Sequence, residues 1–223
     1  MNKDRDKHTI YFDIGGVLLH PIHPPLIRNL YETSLKNINE VEYKNQVKDI
    51  LNRSFHAEYS LEKTCEKLCN AVGTVVSNPV DYIISLITVI RNDDLILHII
   101  EKIISCNKFN VGIISDLSQL GFFIVSTYYQ DLLHLIKPDN IFFSVHTKKT
   151  KKKHKTSYFE EIHNQGKNKG NVYFIDDSIE NIQYAKKIGM NGIIFEAPQI
   201  HDTSFSCWKK PNEKLFQTLD NIL

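Results

Sequence analysis

One stretch, Thr9-Ile10-Tyr11-Phe12-Asp13-Ile14-Gly15-Gly16-Val17-Leu18, constrains this chain more than any other. Its first half is a short β-type run that delivers Asp13 and then breaks at Gly15-Gly16 before the apolar pattern resumes. Open α/β sheets place ligand sites at the carboxyl ends of their strands, which is where this carboxylate falls. Paired glycines reach backbone angles closed to other residues and let the main chain come close to a ligand. A purely structural turn would be written with the same letters. A second acidic strand end, Phe174-Ile175-Asp176-Asp177-Ser178, tips the reading toward function.

Composition narrows the partners. A length of 223 residues suits one domain with an insert or two small ones, and a hydrophobic share of 42% supplies a real core. The formal net charge of +1 gives no bulk attraction for nucleic acid or a membrane surface. No apolar run approaches the ~18 residues that span a bilayer. The charged start (Lys3, Asp4, Arg5, Asp6, Lys7) lacks the apolar core of a secretory signal. The cytoplasm is therefore the expected location. Cys65, Cys69, Cys106 and Cys207 include no Cys-x-x-Cys pair. Cys65 and Cys69 could share one face of a helix, but two thiolates alone make a poor zinc site.

Along the chain, His20-Pro21-Ile22-His23-Pro24-Pro25 reads as a rigid exit from strand one. Residues 26–91 then repeat apolar side chains at helical spacing (Leu26, Leu30; Val47, Ile50, Leu51; Leu61, Cys65, Leu68), with Ser60 as an N-cap and a break at Asn78-Pro79. A further apolar helix is expected over Val80–Ile90, making this block a helical unit inserted after strand one. Asp93-Asp94 opens the next helix, and Asn107 and Asn110 bracket the turn into a second strand, Val111–Asp116. Ile141–Val145 reads as a third strand, Tyr158–His163 as a short helix, and Val172–Ile175 as a fourth strand. Next come a helix ending at Gly189, a fifth strand at Gly192–Phe195, and a terminal helix near Glu213–Leu223. Alternating strands and helices predict an α/β fold, a parallel sheet covered on both faces.

Three strand ends thus present polar groups: Asp13, Ser115 and Asp176-Asp177. The motifs Phe12-Asp13-Ile14-Gly15-Gly16-Val17, Ile113-Ile114-Ser115-Asp116 and Phe174-Ile175-Asp176-Asp177-Ser178-Ile179-Glu180-Asn181 closely resemble those of the haloacid dehalogenase superfamily. The branch resembled carries a helical cap after strand one. Phe55-His56-Ala57-Glu58-Tyr59-Ser60-Leu61-Glu62 is similar to a cap segment of that branch, and the Asp-x-Gly first motif to its sugar-phosphate phosphatases. The resemblance implies a Rossmann-like three-layer core over residues 1–19 and 92–223, with a cap over residues 20–91. It also implies Mg²⁺-dependent phosphoryl transfer through an aspartyl-phosphate, with a small phosphorylated metabolite as substrate. Asp13 is then nucleophile and metal ligand, and the Gly15 carbonyl is a second ligand. Asp177 is the likeness's direct acidic ligand, with Asp176 beside it or acting through water. Ser115, with Gly16 and Asp116 beside it, would bind the transferring phosphate. A metal bridging Asp13 and the phosphate would cancel the repulsion between two anions. Asp176-Asp177 could instead merely cap the following helix.

Two departures from the family pattern carry weight. Family phosphatases place an acid two residues after the nucleophile to protonate the leaving group, and here that residue is Gly15. General acid catalysis contributes ~10²–10⁴-fold, or roughly 3–5 kcal/mol of barrier. The substrate could have a weakly basic leaving group (an anomeric, acyl or anhydride phosphate). His20 or His23 could supply the proton, although a packing role competes for both. Otherwise the chain serves as a weakened binding or regulatory protein. Carbon–halogen hydrolysis is a further alternative, since related dehalogenases also lack the second acid. The third motif is irregular too. Counting back from Tyr158-Phe159 makes Lys153 its catalytic lysine, whereas counting on from Ser144 favours Lys151. Six lysines lie between Lys148 and Lys155. They read as a solvated loop, or else as a funnel for a polyanion, which leaves a nucleic-acid partner open. The chain is expected to be a monomer or a homodimer.

Overall fold

The computed structural model describes residues 7–19, 22–34, 39–87, 94–165, 170–197 and 209–222. Its centre is a five-stranded sheet of β1 (His8–Phe12), β2 (Phe109–Ser115), β3 (Ile141–Phe143), β4 (Val172–Asp176) and β5 (Asn191–Ile194). All its pairings are parallel, in the order β3-β2-β1-β4-β5. The inner strands are apolar nearly throughout because helices cover both faces. Alternation sorts their side chains: Ile10, Phe12, Ile113 and Ile175 join one buried cluster, while Tyr11, Ile114 and Phe174 join a smaller one opposite. Strand order reverses around β1, so its carboxyl end lies between those of β2 and β4. Such a switch point opens a crevice above the sheet.

Between β1 and α5 (Asp94–Ser105) the described residues form four helices: α1 (His23–Glu32), α2 (Glu40–Phe55), α3 (Leu61–Ala71) and α4 (Pro79–Ser85). Their starts follow from local chemistry. Asn39, Ser60 and Asn78 each accept hydrogen bonds from first-turn N–H groups, and Pro79 sits at the first position of α4, where no N–H is needed. Leu26, Leu30, Tyr43, Val47, Leu68 and Ile83 from this block are fully buried within the same cluster as Ile10 and Phe12. The helical insert therefore shares a continuous apolar core with one face of the sheet. Polar links join it as well. Ser54 accepts from the Gln119 N–H at 2.9 Å and from the Thr64 hydroxyl at 3.1 Å.

After β2 come α6 (Gln119–Tyr128), α7 (Gln130–Leu135), a 3₁₀ turn at Pro138–Asn140 and β3, which gives way to α8 (Ser144–Thr147). Then α9 (Lys151–Gln165) and α10 (Ile179–Lys187) cover the second face, and α11 (Lys209–Asp220) packs against α5. Several boundaries differ from the expected ones. Asn110 lies inside β2, because a parallel strand tolerates one polar side chain at its amino end; the turn is made by Asn107 alone, with φ 57°. Ser144 and Val145 begin a helix instead of extending β3, since the Ser144 hydroxyl bonds both the N–H and the C=O of Leu117 at 2.9 Å. The expected helix over Val80–Ile90 ends at Ser85 among the described residues, and His20, Asp93 and Cys207 lie outside them. No helix among the described residues is long and apolar enough to cross a membrane.

Candidate active site

The backbone of β1 carries straight into the site: the Asp13 N–H donates to the Ile175 carbonyl of β4 at 2.9 Å. Three carboxylates then converge. Asp13, Asp176 and Asp177 each offer an oxygen within 4.8 Å of the others. Asp13 is 7% exposed and Asp176 0%, while Asp177 is open to solvent. Gly16 makes that crowding possible. Its φ is +83°, and a Cβ there would collide with the Asp177 carboxylate. Gly15 is different, because a Cβ on it would meet nothing within 4 Å and its φ is not left-handed.

The cation among these acids is Lys151, which is 3% exposed. Its ammonium donates to Asp13 at 2.5 Å and to Asp176 at 2.7 Å. Lys153, expected there from the spacing to Tyr158-Phe159, is exposed and has no ion pair among the described residues. The lysine favoured by the count from Ser144 is the one that meets the acids, and Ser144 is itself fastened to the β2 exit at Leu117. The Lys151 N–H bonds both oxygens of Asp116 at 3.0 Å, so Asp116 anchors the start of α9. Left-handed backbone brackets this segment, with φ 56° at Lys148 and φ 48° at Lys155. Such strain in residues other than glycine persists only where the surroundings over-determine it. Lys151, Lys152 and Lys153 thus open α9, while Lys148 and Lys149 precede it and the backbone leaves helical geometry at Lys155; the run is anchored at Lys151 and keeps Lys148, Lys152, Lys153 and Lys155 exposed to solvent.

Capping of α10 falls to Ser178, whose hydroxyl accepts the Asn181 N–H. Asp176 instead accepts from the Ser178 N–H at 2.8 Å and from the Asn181 amide at 3.0 and 3.1 Å. Asp177 has no part in the cap and faces the crevice. The sequence motif alone gives Asn181 no role; its signal is a position one helical turn beyond the acidic pair, from which its amide reaches Asp176. Ser115, 1% exposed, hydrogen-bonds Asp13. His23 donates or accepts at Ser118 Oγ, 3.0 Å away, and its ring meets Phe55 edge-on, so it packs the seam between α1 and α6.

Electrostatics favour a further cation. Among the described residues three acids face one ammonium here, an excess of negative charge in a largely buried place. Burial, reinforced by Asp176 and opposed by Lys151, pushes Asp13 up to about 8. Burial, again with Asp176, raises Asp177 to about 6. The donor set is all oxygen, which is what a hard divalent ion takes, and the residues fit Mg²⁺.

A second feature adjoins the acids. Asn52, Phe55 and His56 at the end of α2 face Asp116, Lys152 and Lys153 across a cleft of about 550 Å³. Sequence reasoning assigned no ligand-facing role to these α2 residues, because only the fold brings them opposite Asp116.

No protein-family model matches the sequence, and no curated protein matches it. Solved structures do resemble it in three dimensions. A HAD family enzyme from Bacteroides thetaiotaomicron superposes with a TM-score of 0.67 at 18% identity, over 88% of this chain and 95% of that one. The same enzyme has been solved in complex with magnesium and inorganic phosphate, and that form superposes with a TM-score of 0.65 at 18% identity, over 88% and 96%. A HAD-like family hydrolase from Porphyromonas gingivalis gives 0.60 at 16% identity, over 85% and 91%. A dehalogenase gives 0.52 at 16% identity, over 91% and 95%. With its five parallel strands in the order β3-β2-β1-β4-β5 and Asp13 at the end of the central one, the chain has the fold of the HAD family enzymes.

Proposed function

We propose that the chain is a HAD superfamily hydrolase, a Mg²⁺-dependent phosphatase acting on a small phosphorylated metabolite such as a sugar phosphate or nucleotide. The observation that carries this reading is the convergence of Asp13, Asp176 and Asp177 around the Lys151 ammonium at the sheet's switch point. Asp13, Asp177 and the Gly15 carbonyl would hold the ion, with Asp176 behind them. When bound, Mg²⁺ neutralises the phosphate and lets an anionic nucleophile approach it. An oxygen of Asp13 attacks phosphorus, the ester P–O bond breaks with its electron pair leaving on the alcohol oxygen, and water then hydrolyses the aspartyl-phosphate. Ser115 and Lys151 would hold the phosphoryl oxygens while the alcohol oxygen is displaced. The α1–α4 block, within the proposed cap of residues 20–91, forms the far wall.

The leaving oxygen has no acid at position 15 to protonate it, and His23 is engaged at Ser118. A weakly basic leaving group, as in an anomeric, acyl or anhydride phosphate, removes the need for one. The two competing readings are a binding protein and a dehalogenase. The paired acids Asp176 and Asp177 favour metal chemistry over both. With an activated aryl phosphate and Mg²⁺, the wild-type chain should turn over and Asp13→Asn should lose at least ~10³-fold in kcat/KM. Turnover by pure Asp13→Asn protein sinks the assignment, and halide release from a haloacid without Mg²⁺ would replace it with dehalogenation.

A further inference from the structure

The cleft beside the acids has a chemistry of its own. Its floor on the sheet side is Asp116, whose two oxygens are already bonded to the Lys151 N–H. Above it stand Lys152 and Lys153, both exposed and without an ion pair among the described residues. Of the other lysines in the run, Lys149 pairs with Glu161, Lys151 lies between Asp13 and Asp176, and Lys155 sits over the Tyr184 ring, while Lys148 precedes α9 and does not line the cleft. The opposite wall offers the Phe55 ring and the polar tips of Asn52 and His56. The cleft is therefore cationic at one side, aromatic at the other, and open at about 550 Å³.

We propose that this cleft selects esters whose non-reacting half carries a second anionic group, a carboxylate or another phosphate, held by Lys152 and Lys153 with its carbon skeleton against Phe55. This rests on the phosphatase reading above and names the substrate class for the same site. An ammonium pair at the rim attracts a second anion, and the half-enclosed wall keeps part of that attraction from being screened.

The test uses non-hydrolysable probes, so it does not require turnover. Alkylphosphonates and ω-carboxyalkylphosphonates of equal chain length, from three to six carbons, are titrated calorimetrically into the full chain with Mg²⁺. At the best length the carboxylated probe should bind about tenfold more tightly, as two partly exposed charge pairs would give. That preference should shrink as salt rises and fall to about one in the Lys152→Gln/Lys153→Gln double variant. Equal binding at every length, or a preference that survives in the double variant, overturns the proposal. If inorganic phosphate binds while the preference is absent, only the second-anion inference fails. If neither phosphate nor any phosphonate binds with Mg²⁺ present, the phosphatase reading fails and takes this inference with it.

Discussion

At the floor of the site every carboxylate oxygen of Asp13 and Asp176 has a donor within 3.1 Å, whereas the ammonium groups of Lys152 and Lys153 in the adjoining cleft pair with no acid among the described residues. Both regions draw on the same short segment after α8. Lys151 is anchored through its backbone to Asp116, and its head is buried; one residue further on, the chain turns its lysines to solvent. Groups that act on phosphorus must be fixed before substrate arrives, because reorganising them would raise the barrier. Groups that choose among substrates need only be reachable, and their charge can stay hydrated until a ligand displaces the water.

Removing the floor's cation tests that contrast most severely. Lys151→Met leaves two buried carboxylates uncompensated, and breaking a buried pair in this way costs ~3–5 kcal/mol. A fall in Tm should be plain at pH 8, and added Mg²⁺ should restore part of it by supplying charge. Lys153→Met should leave the unfolding free energy within ~0.5 kcal/mol of wild type, as surface changes do, with Tm nearly unmoved. Equal effects of the two substitutions would erase the distinction between floor and cleft.

His23, packed against Phe55 of the cleft wall, offers a pH test. Burial holds His23 down to about 4, below its ordinary 6.5. The folded chain thus binds fewer protons there than the unfolded chain, so stability is full above pH 6.5 and is lost as pH falls toward 4. At pH 4.5 the loss from this group comes to about 2–3 kcal/mol. Melting curves of wild type and His23→Gln at pH 7.5 and 4.5 isolate it, because the other titrating groups are common to both. An identical acid shift in the two proteins would mean that His23 is not buried neutral.

Position 15 sharpens the comparison on the catalytic side. Its Cβ would meet open space, so Gly15→Asp should fold normally and gain ~10²-fold on phosphate esters with poor leaving groups, while good leaving groups change little. A comparison of kcat for an alkyl and an aryl phosphate reads this directly. No gain on the alkyl ester would show that an acid at this place cannot reach the leaving oxygen.

Much of this was legible from residue types in order. The strand-turn at Asp13, the acidic pair at Asp176-Asp177 and the N-cap at Ser60 are local signals, and each falls where its letters indicate. The third motif was harder to place. Six lysines at nearly every position carry no periodicity, so no count along the chain separates Lys151 from Lys153 without knowing what fixes the register. What fixes it is a pair of contacts far apart in sequence: Ser144 on Leu117, and the Lys151 N–H on Asp116. The capping role considered for Asp176-Asp177 likewise went to Ser178 once Asn181 and Lys151 claimed the Asp176 oxygens.

By itself, then, the sequence determined which strands exist, that they run parallel, and which acids stand at their ends, since hydrophobic runs and glycine turns act over a few residues. Only the tertiary structure decided which lysine faces those acids and that Phe55 and His56 stand across a cleft from Lys152 and Lys153. Burial of a charge and the closeness of two walls are properties of chain segments folded together, and no single segment encodes them.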